Sequence, residues 1–167
     1  NGAVSALAKT IIVANSDDPE SEKFLGRNFT EKRPYSLDDA KPYNVFKEGF
    51  DMIVRRKLIH SHLSGEFNIY NELAAITFAE TQGIDIEISK RALEKFTGIR
   101  GRVERIEEGQ DFDVIVDYAH TPDSLRALYG AYREKRKICV LGNTGGGRDS
   151  WKRPLMGKIA EESCAEV

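Results

Sequence analysis

A glycine-rich stretch, LGNTGGGRDSWKRP at positions 141–154, has the spacing of a phosphate-binding loop. Gly142 and Gly147 are separated by four residues, as in a Walker A sequence, and an apolar run typical of a buried strand precedes them. A Walker A loop continues with Lys, which reaches the phosphates, and with Ser or Thr, which holds magnesium. Arg148 and Asp149 stand at those two positions. The stretch is therefore either a degraded nucleotide loop or a glycine-rich turn with another ligand.

A second polar cluster, DYAHTPD at positions 117–123, follows the apolar run VIV. Thr121 is a typical helix N-cap, and the Pro and Asp after it suit the first turn of a helix. Asp117 and His120 are not needed for capping. They are candidates to meet a ligand, with an ordinary surface role as the alternative.

Strand and helix patterns alternate around both clusters. DVIV and KICVL each predict a buried strand that leads through a polar loop into a helix, which is typical of a doubly wound parallel sheet. Ligands bind beyond the carboxyl ends of such strands, so we expect the two clusters to lie side by side at one edge. A β-hairpin with its turn at Gly109 precedes them. The pattern changes near Gly101, which predicts two domains, 1–100 and 101–167.

The residues before Gly101 mix short strands with helices. TIIVAN predicts a buried strand that ends at Asn15, with a short helix after it. Positions 43–67 alternate between apolar and polar, which predicts antiparallel strands. Turns are expected near Glu48-Gly49 and Ser64-Gly65. A helix is expected over NIYNELAAITFAETQG, with Leu73, Ile76, Ala79 and Glu80 on one face and Gly83 after its end. A second helix, Ser89–Thr97, is expected to begin with a serine cap.

Composition narrows the class of protein. The chain has 167 residues, 40% of them hydrophobic, and a formal net charge of -2, which argues against nucleic-acid binding driven by bulk charge. The sequence contains no apolar run of membrane-spanning length and no signal peptide, so we expect a soluble, cytoplasmic protein. Cys139 and Cys164 are too few and too scattered for a disulfide framework or a zinc site. His60 and His62 lack a third ligand, so no metal site is predicted. Both ends look cut, which predicts an excerpt of a longer protein.

Four ordered stretches resemble one family. GEFNIYNELAAI, GRVERI, FDVIVDYAHTPDSL and GGGRDSWKRPLMGKIAE together closely resemble the Mur ligases of peptidoglycan synthesis. The nearest resemblance is to the member that adds the third amino acid to UDP-MurNAc-L-Ala-D-Glu. It implies an α/β fold in which the C-terminal part of a central ATPase domain is followed by the first half of a Rossmann-like C-terminal domain.

The resemblance also implies a chemistry. Mur ligases are ATP-dependent amide-bond ligases that act through an acyl phosphate, with Mg²⁺ as a cofactor. The implied partners are UDP-MurNAc-dipeptide and an amino acid of the diaminopimelate or lysine type, and neither nucleic acid nor membrane. The family's Walker sequence, magnesium ligands and modified lysine are expected upstream of this chain, so the chain alone is expected to be inactive.

The resemblance assigns nucleotide contacts to matching residues. Asn68 and Asn71 match the asparagines near the adenine, and a carboxamide offers a base edge both a donor and an acceptor. Residues three apart share a helix face. Helix capping by one asparagine is the alternative. Arg102 matches an arginine near the ribose and phosphates, Asp117 an acidic residue near the ribose, and His120 a histidine of the same pocket.

The resemblance also answers the question raised by the glycine-rich stretch. It matches a loop of the C-terminal domain that serves the incoming amino acid, so the departures from Walker A are not decay. Arg153 matches an arginine that binds the carboxylate of that amino acid, and Arg148, Asp149 and Lys152 are further candidates. A solvated helix start is the alternative for Lys152 and Arg153. A run of Cys-Gly-Gly-Asp-Arg-Asp is commoner in the family, so NTGGGRD departs from it.

Two other functions stay open from the sequence. A folylpolyglutamate-type ligase shares the expected architecture and the DYAHTPDS region. If the gene lacks a Walker sequence, the protein would instead be a non-catalytic module for nucleotide binding or assembly. No motif in this sequence identifies which amino acid such a ligase would add.

Overall fold

Two compact units make up the chain, of which this computed structural model describes residues 10–142 and 149–167. The first unit runs to His62 and also includes Glu66–Phe96, and the second consists of Leu63–Gly65 and Thr97–Val167. Both units combine helices with paired strands, so the predicted α/β class is confirmed. Over the residues described, no helix is both long enough and apolar enough to cross a membrane.

A parallel pair of strands opens the first unit. β1 (Ile11–Asn15) lies beside β2 (Glu31–Tyr35), and α1 (Ser21–Leu25) connects them. The strand that ends at Asn15 and the short helix after it are as predicted, although β1 is half-buried rather than buried. The sequence of β2, EKRPY, does not predict a strand because three charged residues and a proline interrupt any apolar alternation. One 3-10 turn, Leu37–Ala40, follows β2.

Three antiparallel strands come next, and they confirm the alternating pattern of positions 43–67. They are β3 (Tyr43–Phe46), β4 (Gly49–Val54) and β5 (Lys57–Ser61), in that order across the sheet. The turn before Gly49 is where it was expected. A Cβ atom at Gly49 would lie 1.9 Å from the carbonyl oxygen of Ser61, so this close approach of two strands requires glycine.

The second turn of this sheet is not where the sequence predicts it. The chain reverses at Arg55–Arg56, not at Ser64-Gly65, because β4 pairs directly with β5 from Val54↔Lys57 onwards. Arg55 and Arg56 have φ values of 50° and 65°, the left-handed region that a two-residue hairpin turn needs. Asn-Gly is the usual sequence of such a turn, and the two arginines at these positions do not indicate one.

Two helices complete the first unit. α2 (Phe67–Thr81) is the predicted helix, and Gly83, with φ of 74°, lies just beyond its C-cap as expected. α3 (Ile86–Leu93) begins earlier than predicted because Asp85, not Ser89, is its N-cap: the Asp85 side chain accepts a hydrogen bond from Glu87 N at 2.8 Å. The core buries side chains of both the sheet and α2: Phe50, Met52, Ile59, Ile69, Leu73 and Ile76.

The second unit contains one antiparallel hairpin and two helices. β6 (Glu104–Ile106) pairs with β7 (Val114–Val116), and Gly109, with φ of 86°, lies in the predicted turn. α4 (Pro122–Ala131) and α5 (Lys152–Ser163) follow. Their core is small and consists of Leu125, Met156 and Ile159.

The strand pairing of the second unit differs from a fully parallel sheet. β7 pairs with β6 in antiparallel orientation, and in the described part of this unit the parallel pairing is limited to one bridge, between Ile138 and Glu166. The prediction of a buried strand over KICVL is wrong: Ile138 makes one isolated bridge, and Ile138 and Val140 are exposed. Within the described ranges, β7 has no ladder with positions 137–141. The side-by-side position of the clusters at 117–123 and 141–154 therefore stays a prediction.

Cys139 and Cys164 form a disulfide, whereas the sequence predicts no disulfide framework. After α5 the chain returns beside the segment that carries Cys139. Cys139 N donates to Glu166 O at 2.9 Å, and Ala165 N donates to Lys137 O at 2.8 Å. These hydrogen bonds bring the two Cα atoms to 6.1 Å across a separation of 25 residues, which sequence distance alone does not reveal.

Candidate functional site

Asn68 and Asn71 lie together in the first turns of α2. Asn71 Nδ2 donates to Asn68 Oδ1 at 2.9 Å, so the two carboxamides share a helix face as predicted. The N-cap of α2 is Glu66, so the alternative that one asparagine caps this helix is wrong. Asn68 is buried, whereas Asn71 is exposed. This pair therefore presents one polar group held inside the unit and one open to a ligand.

Glu72, one turn beyond Asn68, is a buried carboxyl group that the sequence interpretation missed. Its side chain is 2% exposed, and its Oε1 atom accepts a hydrogen bond from Ser61 Oγ at 2.5 Å. Its Oε2 atom is buried with no hydrogen-bond partner in the described part of the chain. Burial raises the pKa of Glu72 to about 7, and the Ser61 hydrogen bond offsets only part of that rise. Its helical spacing among apolar residues was the signal that could have identified it.

Asp117, directly after β7, is held by two backbone groups. Its Oδ2 atom accepts from Val103 N at 2.8 Å, and its Oδ1 atom accepts from Ala119 N at 2.7 Å. These bonds tie the DYAH turn to the residue before β6. Each carboxylate oxygen keeps a further lone pair, so the group can also accept a hydrogen bond from a ligand hydroxyl.

Arg102, Tyr118 and His120 form an exposed stack beside Asp117. The Arg102 guanidinium carbon lies 4.7 Å from the centre of the Tyr118 ring, and the Tyr118 and His120 ring centres are 4.8 Å apart. The structure therefore brings together the three predicted nucleotide residues of this unit, Arg102, Asp117 and His120. Tyr118 was not predicted, although its place between Asp117 and His120 was a signal.

One hydrogen bond indicates which ring nitrogen of His120 carries a proton. Its Nδ1 atom lies 3.0 Å from the carbonyl oxygen of Tyr118. Because a carbonyl oxygen can only accept, Nδ1 carries the proton and donates it. In the neutral ring, Nε2 then remains an acceptor, free to receive a hydrogen bond from a ligand donor.

The helix start at HTPD is built as its sequence indicates. Thr121 is the N-cap of α4, its Oγ1 atom accepts from Ser124 N at 3.2 Å, and Pro122 is the first helical residue. Thr121 N donates in turn to Ser124 Oγ at 3.1 Å, which completes a capping box. The capping role of Thr121 is confirmed, and it fixes the backbone directly after His120.

Lys152 and Arg153 occupy the first turn of α5. The N-cap, Trp151, makes no side-chain capping bond, and the first turn contains no acidic residue. Asp149, with φ of 50°, lies 3.8 Å by its Oδ2 atom from Lys152 Nζ. The N-terminal end of a helix carries a partial positive charge, which the two cations add to. The combined positive charge suits the binding of an anion. Arg148 lies outside the described residues.

His60 and His62 were considered as a metal pair. His60 instead lies opposite Asp51 in the β4–β5 register, with 2.7 Å between Nδ1 and Oδ1. The described ranges contain no group of three or more His, Cys, Asp or Glu that could hold a metal ion.

Comparison with known proteins identifies the family. Residues 101–167 match the Mur ligase, glutamate ligase domain. The chain is 41% identical over 160 residues to a UDP-N-acetylmuramoyl-L-alanyl-D-glutamate--2,6-diaminopimelate ligase of Syntrophomonas wolfei, a match that covers 89% of this chain and 32% of the relative. A ligase of the same name from Oceanobacillus iheyensis is 45% identical over 173 residues, covering 96% of this chain and 34% of the relative. The chain belongs to the Mur ligase family.

Solved Mur ligase structures share the fold. MurF from Acinetobacter baumannii is 21% identical, with a TM-score of 0.76, and the match covers 93% of this chain and 37% of that protein. At that identity the likeness establishes the fold alone. The chain spans about a third of the length of the Mur ligases it matches, 32% and 34% of the two relatives. The family resemblance is thus confirmed, and the ligand roles of individual residues remain predictions.

Proposed function

We propose that this chain forms part of an ATP-dependent ligase that adds the third amino acid to UDP-MurNAc-L-Ala-D-Glu in peptidoglycan synthesis. The observation that carries the proposal is the match of about nine-tenths of the chain to ligases named for that step, 89% in one case and 96% in another. Those names give 2,6-diaminopimelate as the first candidate for the amino acid. They favour neither a folylpolyglutamate-type ligase nor a non-catalytic module.

The proposal divides the chain between two domains. Residues 1–100 would be the end of the central ATP-binding domain, and residues 101–167 the start of the Rossmann-like C-terminal domain. The match of residues 101–167 to the glutamate ligase domain supports the second assignment. The Walker sequence, the modified lysine and the magnesium ligands would then lie in other parts of the ligase. The chain alone is expected to have no turnover.

The reaction forms one amide bond and uses one ATP. An oxygen of the D-glutamyl carboxylate attacks the γ-phosphorus, the bond to the β–γ bridging oxygen breaks, and ADP leaves. The resulting acyl phosphate is then attacked by the amino group of the incoming amino acid. Phosphate leaves with the electron pair of the broken C–O bond, and the nitrogen loses a proton. Positioning and charge neutralisation supply most of the rate enhancement in such transfers.

The residues of this chain would bind and orient the substrates. Asn68 and Asn71 would lie near the adenine: the exposed Asn71 would meet its edge, and the buried Asn68 would hold the Asn71 carboxamide through the 2.9 Å hydrogen bond from Asn71 Nδ2 to Asn68 Oδ1. Asp117 and His120 would accept hydrogen bonds from the nucleoside. Arg102 would pair with phosphate oxygens, a charge-assisted contact that a guanidinium can make with two hydrogen bonds.

The start of α5 would bind the incoming amino acid. Arg153 would pair with its carboxylate, and Lys152, Asp149 and Arg148 are further candidates to bind the same amino acid. The position of Lys152 and Arg153 in a first turn without acidic residues supports this assignment. We further propose a cytoplasmic location, since ATP and UDP-linked precursors are the substrates, with neither nucleic acid nor membrane as a partner.

The experiment is a ligation assay with the complete ligase that contains this chain. ADP release should require UDP-MurNAc-L-Ala-D-Glu and an amino acid together, and mass spectrometry should detect the tripeptide. Diaminopimelate and L-lysine are compared in parallel, and a folate with glutamate serves as the competing substrate pair. ADP release with the folate pair but not with the wall precursor would overturn the proposal.

A second arm of the assay tests the amino-acid site. Arg153→Ala should raise the KM for the amino acid by tenfold or more, because a bound carboxylate loses a charge-assisted pair. The KM for ATP should stay within about threefold of the wild-type value, and Arg153→Lys should rescue poorly because an ammonium cannot form two parallel hydrogen bonds. A loss of ATP affinity with the amino-acid KM intact would instead make positions 141–154 a phosphate loop.

A further inference from the structure

We propose that Tyr118 is a positioning residue that holds the Arg102 guanidinium in place for the nucleotide. The inference rests on the proposed function, since it takes Arg102 to be a phosphate ligand. It starts from the stack in the second unit, where the guanidinium carbon of Arg102 lies 4.7 Å from the Tyr118 ring centre. A cation at that distance over an aromatic face is attracted by the ring quadrupole.

The peptide that links Tyr118 to Ala119 is held by two side chains. Asp117 Oδ1 accepts from Ala119 N at 2.7 Å, and His120 Nδ1 donates to the carbonyl oxygen of Tyr118 at 3.0 Å. The His120 ring also lies against the Tyr118 ring, with 4.8 Å between centres. The Tyr118 ring, contacted in this way, is a platform for the guanidinium, whereas an arginine side chain without such a contact samples many rotamers.

The position of Arg102 makes such a platform useful. Arg102 is exposed, and its backbone is in the bridge between Ile99 and Arg102, beside Val103 with φ of 49°. A long exposed side chain loses rotamer entropy when it binds a phosphate. If the stack already orders the guanidinium, part of that loss has occurred before the nucleotide arrives. Tyr118 thus contributes to ATP affinity through Arg102 and not through contact with the reacting atoms.

The test measures ATP affinity in the complete ligase by calorimetry and the KM values by the ligation assay. Tyr118→Leu should raise the ATP Kd and KM about two- to fivefold, the range of an exposed cation–π contact, with kcat within twofold and the amino-acid KM unchanged. Tyr118→Phe should keep near wild-type values because its ring face remains. Phe112→Leu, at an aromatic residue 65% exposed in the same unit, is the matched control and should change nothing.

A double-mutant cycle decides whether Tyr118 acts through Arg102. Arg102→Ala should weaken ATP binding by tenfold or more, and adding Tyr118→Leu should then change the Kd by less than about 1.5-fold. A further two- to fivefold loss in the Arg102→Ala background would overturn the inference, as would a Tyr118→Leu ligase with wild-type ATP affinity. A ligase that binds ATP but does not join the wall substrates refutes the proposed function and still tests Tyr118 through the Kd. A wild-type ligase that binds no ATP refutes both.

Discussion

Glu72 is a buried carboxyl group, and one of its oxygens has no hydrogen-bond partner among the residues that the structure describes. Such a group destabilises a fold when it ionises. Its pKa is raised to about 7 by burial, above the ordinary value of 4.5. The folded chain therefore holds the Glu72 proton more tightly than the unfolded chain does. The stability that this proton provides is complete below about pH 4.5 and is lost as the pH rises through 7.

Glu72→Gln should therefore stabilise the chain at high pH. The neutral amide has no ionisation cost, so the variant should gain on the order of 3 kcal/mol in unfolding free energy at pH 8, with the gain shrinking towards zero near pH 4.5. Urea unfolding of the 167-residue chain at a series of pH values measures this. Glu22→Gln, at an exposed residue of α1, controls for the loss of one formal charge. A gain that is the same at all pH values would contradict the assignment.

At the residue scale, the sequence predicted the charged and polar ligand candidates better than it predicted Tyr118 and Glu72. Asp117 and His120 follow the end of β7, and Arg102 precedes β6, which pairs with β7, so the three residues come together as the resemblance implied. Tyr118 and Glu72 were missed because a tyrosine on a turn and a glutamate in a helix are common. Only the neighbours in space, Arg102 in one case and Ser61 in the other, give them a role.

At the scale of elements, the helices and the β-hairpins were largely readable, and the exceptions have local causes. α2 and the turn at Gly109 follow from apolar spacing and glycine. The charged residues of β2 gave no strand pattern. The N-cap of α3 is Asp85, and the later Ser89 was predicted instead because serine is also a common N-cap. In each case two local signals compete, and tertiary packing decides between them.

The Arg55–Arg56 turn gives a prediction at this scale. Left-handed backbone strains a non-glycine residue, so Arg56→Gly should raise the unfolding free energy by about 0.5–1 kcal/mol. Arg55→Gly is the matched control, because Arg55 also donates through Nε to Glu80 at 2.9 Å and through Nη1 to Asp39 at 3.3 Å. The loss of those ion pairs offsets the relief of strain, so its net gain should be smaller. Thermal unfolding followed by circular dichroism compares the two, and equal gains would contradict this account of the turn.

At the scale of the whole molecule, chain connectivity rather than local pattern decides what pairs with what. The sequence predicted the α/β class from alternating strand and helix patterns. It could not predict that β7 pairs with β6, or that the segment after α5 returns beside Ile138. The disulfide between Cys139 and Cys164 is a consequence of that return, and sequence separation gave no sign of it.

The disulfide should make the stability of the chain depend on reductant. A cross-link that closes 25 residues restricts the unfolded chain, which corresponds to about 3.5 kcal/mol in the loop-entropy treatment. Dithiothreitol should therefore lower the unfolding free energy of the wild-type chain by that order. The double variant Cys139→Ser/Cys164→Ser should match the reduced wild type and should not respond to dithiothreitol.

Thiol labelling relates this cross-link to the proposed cytoplasmic location. Cytoplasm keeps protein thiols reduced, so we expect rapid trapping from cells to find both cysteines labelled, whereas the purified, air-exposed chain should show neither. The reduced chain should stay folded, because the backbone hydrogen bonds from Cys139 N to Glu166 O and from Ala165 N to Lys137 O do not need the sulfur bond. Two labelled thiols in the purified, oxidised chain would contradict the pairing of Cys139 with Cys164. Two protected thiols in trapped cells would contradict the cytoplasmic location and leave the pairing intact.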